Sequence, residues 1–94
     1  MGKSYGFIEV SGVTAAVLSM DIMCKTADVE FVTWERKLGG RLVTVIISGN
    51  VAAVTEAVET AINMLPQKPV ATAVIPNPHE ETIKIVNLSA SRLK

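Results

Sequence analysis

Aromatic side chains are scarce in this chain: Tyr5, Phe7, Phe31 and Trp34 make up 4% of its 94 residues. A sheet that stacks RNA bases needs exposed aromatics, and no RNP-like segment is present, so an RNA-recognition domain is excluded. Charge of one sign is lacking too. Nine basic and nine acidic residues cancel, which removes the electrostatic footprint of a nucleic-acid or anionic-membrane partner. One cysteine, Cys24, makes no internal disulfide and fits a reducing cytoplasm. No apolar run is long enough to cross a bilayer. The start, MGKSYGFIEV, has no signal-peptide apolar region, and Gly2 and Ser4 lack lipidation spacing.

Catalytic material is equally thin. His79 is the sole histidine; it follows a proline-rich turn without ligand partners and reads as a hydrogen-bonded structural residue, not a metal ligand. Cys24 falls on an apolar helix stripe and reads as a small core residue. The acidic pairs Glu56–Glu59 and Glu80–Glu81 sit where solvated helix faces and helix starts place acids. Gly39–Gly40 lacks phosphate-loop spacing. No nucleophile–base pair, metal cluster or cofactor site can be assembled, so the chain reads as a non-enzyme.

What is present is hydrophobicity: 49% of residues are apolar and the mean hydropathy is +0.39. In one domain of this size, that excess points to subunit contacts, the alternative being an alanine- and valine-rich core. Tyr5–Val10 reads as a strand, and Ser11 as the N-cap of a helix with Val13, Ala16, Val17, Met20, Met23, Cys24 and Ala27 at helical spacing. Leu18 and Ile22, on its other face, mark either subunit contacts or a rotated core stripe. Val29–Glu35 is a second strand, RKLGGR a glycine-containing hairpin, and Leu42–Ile47 a central strand. Trp34 lies near the sheet margin, against a neighbour or capping the core.

Asn50 caps a second helix with a stripe of Val51, Val54, Val58, Ala61, Ile62 and Leu65, which Pro66 stops. Ala71–Ile75 is the fourth strand, ended by Pro76 and Pro78. The order β-α-β-β-α-β predicts an α+β, ferredoxin-like fold: a four-stranded antiparallel sheet with two helices on one face. The single domain spans 1–94, with a core at about 4–82 and a tail at about 83–94. The tail reads as a strand, from its Thr82–Ile85 alternation, or as a short helix from Glu80; the helix is preferred, with the last few residues mobile.

Three segments, YGFIEVSGVTAAVLSMDIMCKTADVEFV, ERKLGGRLVTVIISGNVAAVTEAVE and VIPNPHEE, resemble the single-domain hexameric shell proteins of bacterial microcompartments: carboxysomes and the propanediol, ethanolamine and related metabolosomes. The resemblance runs from about Tyr5 through Glu81. It implies a cytoplasmic homohexamer that tiles with other shell proteins around encapsulated enzymes. It also implies a central pore for small polar metabolites. By the resemblance, Lys37, Leu38, Gly39, Gly40 and Arg41 form the pore loop, with Arg41 where many relatives have glycine. Lys25 and His79 match hexamer-edge positions, and Asn77 stands where many relatives have arginine. Lys25 also follows Asp21 by four residues, the spacing of an ordinary helical ion pair. Arg41 either faces the channel, making it favour anions, or turns to a face of the tile and pairs with an acid such as Glu35. The architecture alone also admits a second function, an oligomeric small-molecule-binding regulatory module.

Overall fold

The computed structural model describes residues 3–93; the Gly2 of the lipidation reading and Lys94, the last residue of the tail, lie outside them. The elements are β1 (Ser4–Val10), α1 (Val13–Thr26), β2 (Glu30–Lys37), a tight turn (Leu38–Gly40), β3 (Leu42–Gly49), α2 (Val51–Met64), β4 (Ala71–Ile75) and α3 (Glu80–Ser91). The four strands form one antiparallel sheet in the order β2-β3-β1-β4, the ferredoxin-like arrangement expected. The apolar run Leu42–Ile47 forms most of β3, which is paired on both edges. Among the described residues no helix is long and apolar enough to cross a membrane.

Period-two alternation sorts the two central strands between two faces. Ile8, Val10, Val43, Val45 and Ile47 join Ala16, Met23, Val54, Ala57, Val58 and Ala61 in the core under α1 and α2. Tyr5 and Ile46 point the other way, where they meet Val86 of α3, with Phe7 and Val32 beside them. The preferred helical reading of the tail therefore holds, and the helix packs on β2 across the sheet from α1 and α2. A polar tie fixes it. Ser89, buried in α3, bonds Thr33 of β2 at 2.9 Å and donates to the carboxylate of Glu35. Arg92 lies 3.7 Å from that carboxylate.

Two expectations for α1 need correction. Ser11 does not cap it: Gly12 takes the N-cap position at φ 102°, in the left-handed region that glycine enters freely, and makes no side-chain cap bond. The buried stripe is also rotated from the one expected. Ala16, Ser19, Ile22 and Met23 face the sheet, whereas Val13, Val17 and Cys24 are exposed. Ile22 thus belongs to the core, while Leu18 stays 39% exposed. The helix is apolar nearly all round, so spacing alone does not say which face turns inward.

The second helix follows its sequence more closely. Asn50 Oδ1 accepts from the Ala53 amide at 2.9 Å, and the helix ends before Pro66. Val54, Val58 and Ala61 are buried as expected, Ile62 partly, and Val51 is exposed. Trp34 packs on the edge of the α1–α2 core with the Arg36 guanidinium 5.9 Å from its ring centroid.

The seat of α2 is Gly6 of β1. A Cβ there would stand 2.7 Å from Val54 Cγ1, too close for a real contact, and 3.1 Å from Val58 Cγ2, a tight one. Gly6→Ala is expected to destabilise by about 1–3 kcal/mol through displacement of α2. Urea denaturation is the measurement, and Val54→Ala in the same chain should recover part of the loss.

Candidate functional site

The hairpin between β2 and β3 turns through three successive residues at positive φ: Leu38 (55°), Gly39 (66°) and Gly40 (89°). The Arg41 amide closes the turn on the Leu38 carbonyl at 3.3 Å. Glycine accepts this handedness without a Cβ clash. Gly40 has a second reason to be glycine, since a Cβ would lie 3.2 Å from Val13 Cγ2 at the start of α1. Arg41, by contrast, has ordinary right-handed angles, φ −76° and ψ −18°. A side chain at that position is therefore unstrained.

Arg36, Lys37, Leu38 and Arg41 are all exposed on this hairpin. Lys37 and Arg41 make no ion pair among the described residues. The acid suggested as a partner for Arg41 is engaged elsewhere: Glu35 faces α3 and holds Ser89 and Arg92. The five expected loop residues thus run from the last residue of β2 through the turn to the residue before β3, with uncompensated positive charge at both ends.

The expected edge residues occupy other positions. Lys25 lies in the last turn of α1, where its ammonium donates to Asp21 at 2.9 Å with both side chains exposed. The helical ion pair is therefore formed, and a pair this open to solvent is worth little. Asn77 lies in the β4–α3 loop at φ 48°; asparagine tolerates the left-handed region better than arginine does, which gives its presence a backbone reason. His79 is the N-cap of α3: its Nδ1 accepts from the Glu81 amide at 3.0 Å. Glu80 and Glu81 in the first turn suit the positive end of that helix.

Cys24 is exposed at the residue level, a correction to its expected core placement. Partial burial of its thiol pushes the pKa up, helped by Asp21 and opposed by a backbone hydrogen bond to Phe31. A thiol shifted upward is a poor nucleophile at neutral pH. Among the described residues no group of three or more His, Cys, Asp or Glu could hold a metal ion. A trough of about 510 Å³ beside α3 is lined by Phe7, Ile46, Ile85 and Val86 with Glu35 and Arg92. Spacing in the sequence did not reveal the Thr33–Ser89–Glu35 tie, in which Ser89 lies more than fifty residues from either partner.

Comparison with known proteins places these features in context. A family model described as the BMC domain matches residues 4–78. The chain is 41% identical over 88 residues to the bacterial microcompartment shell protein PduA of Citrobacter freundii, covering 89% of this chain and 91% of that protein. It is 34% identical over 93 residues to the carboxysome shell protein CsoS1C of Hydrogenovibrio crunogenus, covering 96% and 90%. A solved structure of a microcompartment protein from Desulfitobacterium hafniense superposes with a TM-score of 0.80 at 25% identity. It covers 95% of this chain, which spans about half the length of that one.

The Asp21 carboxylate raises the pKa of Lys25, by its hydrogen bond first and its charge second. A raised lysine pKa contributes stability fully below the unfolded value and loses it as pH rises through the folded value. The pair's small contribution is therefore fully present and independent of pH near neutrality, and it weakens only in strong alkali. Asp21→Asn is expected to lower the Lys25 titration midpoint toward that of a free lysine, read by NMR of its ε-carbon.

Proposed function

The chain belongs to the BMC-domain family and is a shell protein of bacterial microcompartments, and from that premise we propose that six copies close into a ring whose Lys37–Arg41 hairpins meet at the axis. The observation that carries this reading is the match to single-chain shell proteins over about nine-tenths of both partners. One domain per chain then calls for six chains per ring. Exposed apolar side chains such as Val17, Met64 and Ile85 supply surface for contacts between copies. The role is structural, in the cytoplasm: rings tile with other shell proteins around encapsulated enzymes, and no cofactor takes part.

Six-fold repetition multiplies each loop charge by six. Lys37 and Arg41 would then line the passage with positive charge, which favours anionic and polar metabolites over cations. The amides of Gly39 and Gly40 add donors. At the rim of the ring, Lys25, Asn77 and His79 serve the contact between tiles. Asn77 carries no charge into that contact.

Native mass spectrometry should find an assembly of six times the 10.0 kDa chain mass; monomers alone at micromolar concentration would remove the reading. Lys25→Asp should keep the ring but abolish sheets or tubes seen by electron microscopy, because the edge is a separate interface from the ring contacts. Arg41→Ala should cut anion flux severalfold in a liposome or shell permeability assay, and unchanged flux would place Arg41 outside the lumen.

A further inference from the structure

Among the described residues only Leu38 and Asn77 hold positive φ without being glycine. Asparagine is suited to this conformation because its short polar side chain bonds locally; leucine has no such compensation. Leu38 does not recover the strain by packing. It is 69% exposed and belongs to neither apolar cluster of the fold. Glycine at this position would relieve the backbone, as it does at the next two. A strained residue that the chain itself does not need is a mark of function.

The neighbours of Leu38 narrow that function. Lys37 precedes it, Arg41 follows the turn, and neither has an ionic partner among the described residues. An exposed apolar side chain thus lies, in the chain, between two unpaired cations of one hairpin. We propose that Leu38 is a specificity-determining residue of the pore, a proposal that rests on the six-fold ring described above. Six leucines form an apolar collar beside the basic ring. The pair selects short-chain organic anions, which have one carboxylate and an alkyl tail, over compact inorganic anions of equal charge.

The physics separates the two classes. Both are drawn by the same positive field. A small inorganic anion must shed water at the collar and finds no hydrogen bond there to replace it. A carboxylate stays with the lysine and arginine side chains while its alkyl tail is buried against leucine. Charge therefore admits both, and the collar discriminates between them.

The test uses purified rings in planar lipid bilayers with sodium butyrate on one side and sodium chloride on the other. Reversal potentials are corrected for free-solution mobility. The native protein should favour butyrate severalfold, and Leu38→Asn or Leu38→Gly should bring the ratio near one. Ring mass should be unchanged and the melting temperature should not fall, since both variants relax the turn. A ratio unaffected by either variant overturns the proposal while the pore stands. Loss of the ring in both variants also overturns it, by making Leu38 a subunit contact. Rings of the native protein that pass neither salt overturn the pore and the collar together.

Discussion

The close approach of α2 to the sheet at Gly6 is the constraint on which the remaining geometry hangs. With no side chain on β1 at that point, Val54 and Val58 descend onto the strand and meet Ile47 of β3. That contact joins the core beneath α1 and α2 to the two central strands, and each fully buried valine or isoleucine in it contributes about 1.5–3 kcal/mol. Gly49 repeats the device at the end of β3, where an added Cβ would stand 3.1 Å from the Asp28 carbonyl. The strand that leads out of the functional hairpin is thus clamped along its length, on one side by α1 and α2 and on the other by Ile46 against Val86.

A clamped strand gives the hairpin its rigidity, and the handedness of the turn determines which residues it tolerates. Three left-handed residues in succession reverse the chain within a very short span, so Arg41 returns to right-handed angles before β3 begins. This explains how the chain carries an arginine at a position where the family resemblance leads one to expect glycine: the demand for glycine is met at Gly39 and Gly40. Charge enters the loop without a backbone penalty. The engagement of Glu35 with α3 matters for the same reason. An acid two residues from Lys37 would dilute the field of the hairpin, but its carboxylate is turned to Ser89 and Arg92 on the α3 side.

Much of this was readable in the sequence because local chemistry dictated it. Asn50 caps α2 as its position suggested, β4 runs from Ala71 to Ile75, and the apolar run at Leu42 lies inside the sheet. Errors gathered on α1, where Val13, Val17 and Cys24 look as suited to a core as Ile22 and Met23. There the choice of face is made by what the sheet offers, not by the helix. The face chosen by α3 was unreadable for a related reason: Thr33 and Ser89 declare no affinity for each other until the chain is folded. The loop residues were identified as a turn from their glycines, yet the left-handed state of Leu38 has no signal in a residue with no preference for it. The edge roles expected of Lys25 and His79 came from resemblance alone, and the fold adds a local partner for each, Asp21 and the Glu81 amide.

The distribution of strain connects the two proposed contact regions. Inside the strands and helices the non-glycine residues keep ordinary angles; the exceptions, Leu38 and Asn77, fall on the hairpin and on the β4–α3 loop. These are the loops assigned to the pore and to the tile edge. Each lies beside an element fixed by burial, β3 in one case and α3 in the other, so the surrounding fold can hold a conformation that the loop alone would relax. The two differ in what they ask of the side chain. Asn77 satisfies its backbone by residue type and needs no partner, whereas Leu38 satisfies neither backbone nor packing within one chain. If selection tolerates such a cost, its return has to come from outside the single subunit, and the proposed ring supplies one at the axis where the hairpins would meet.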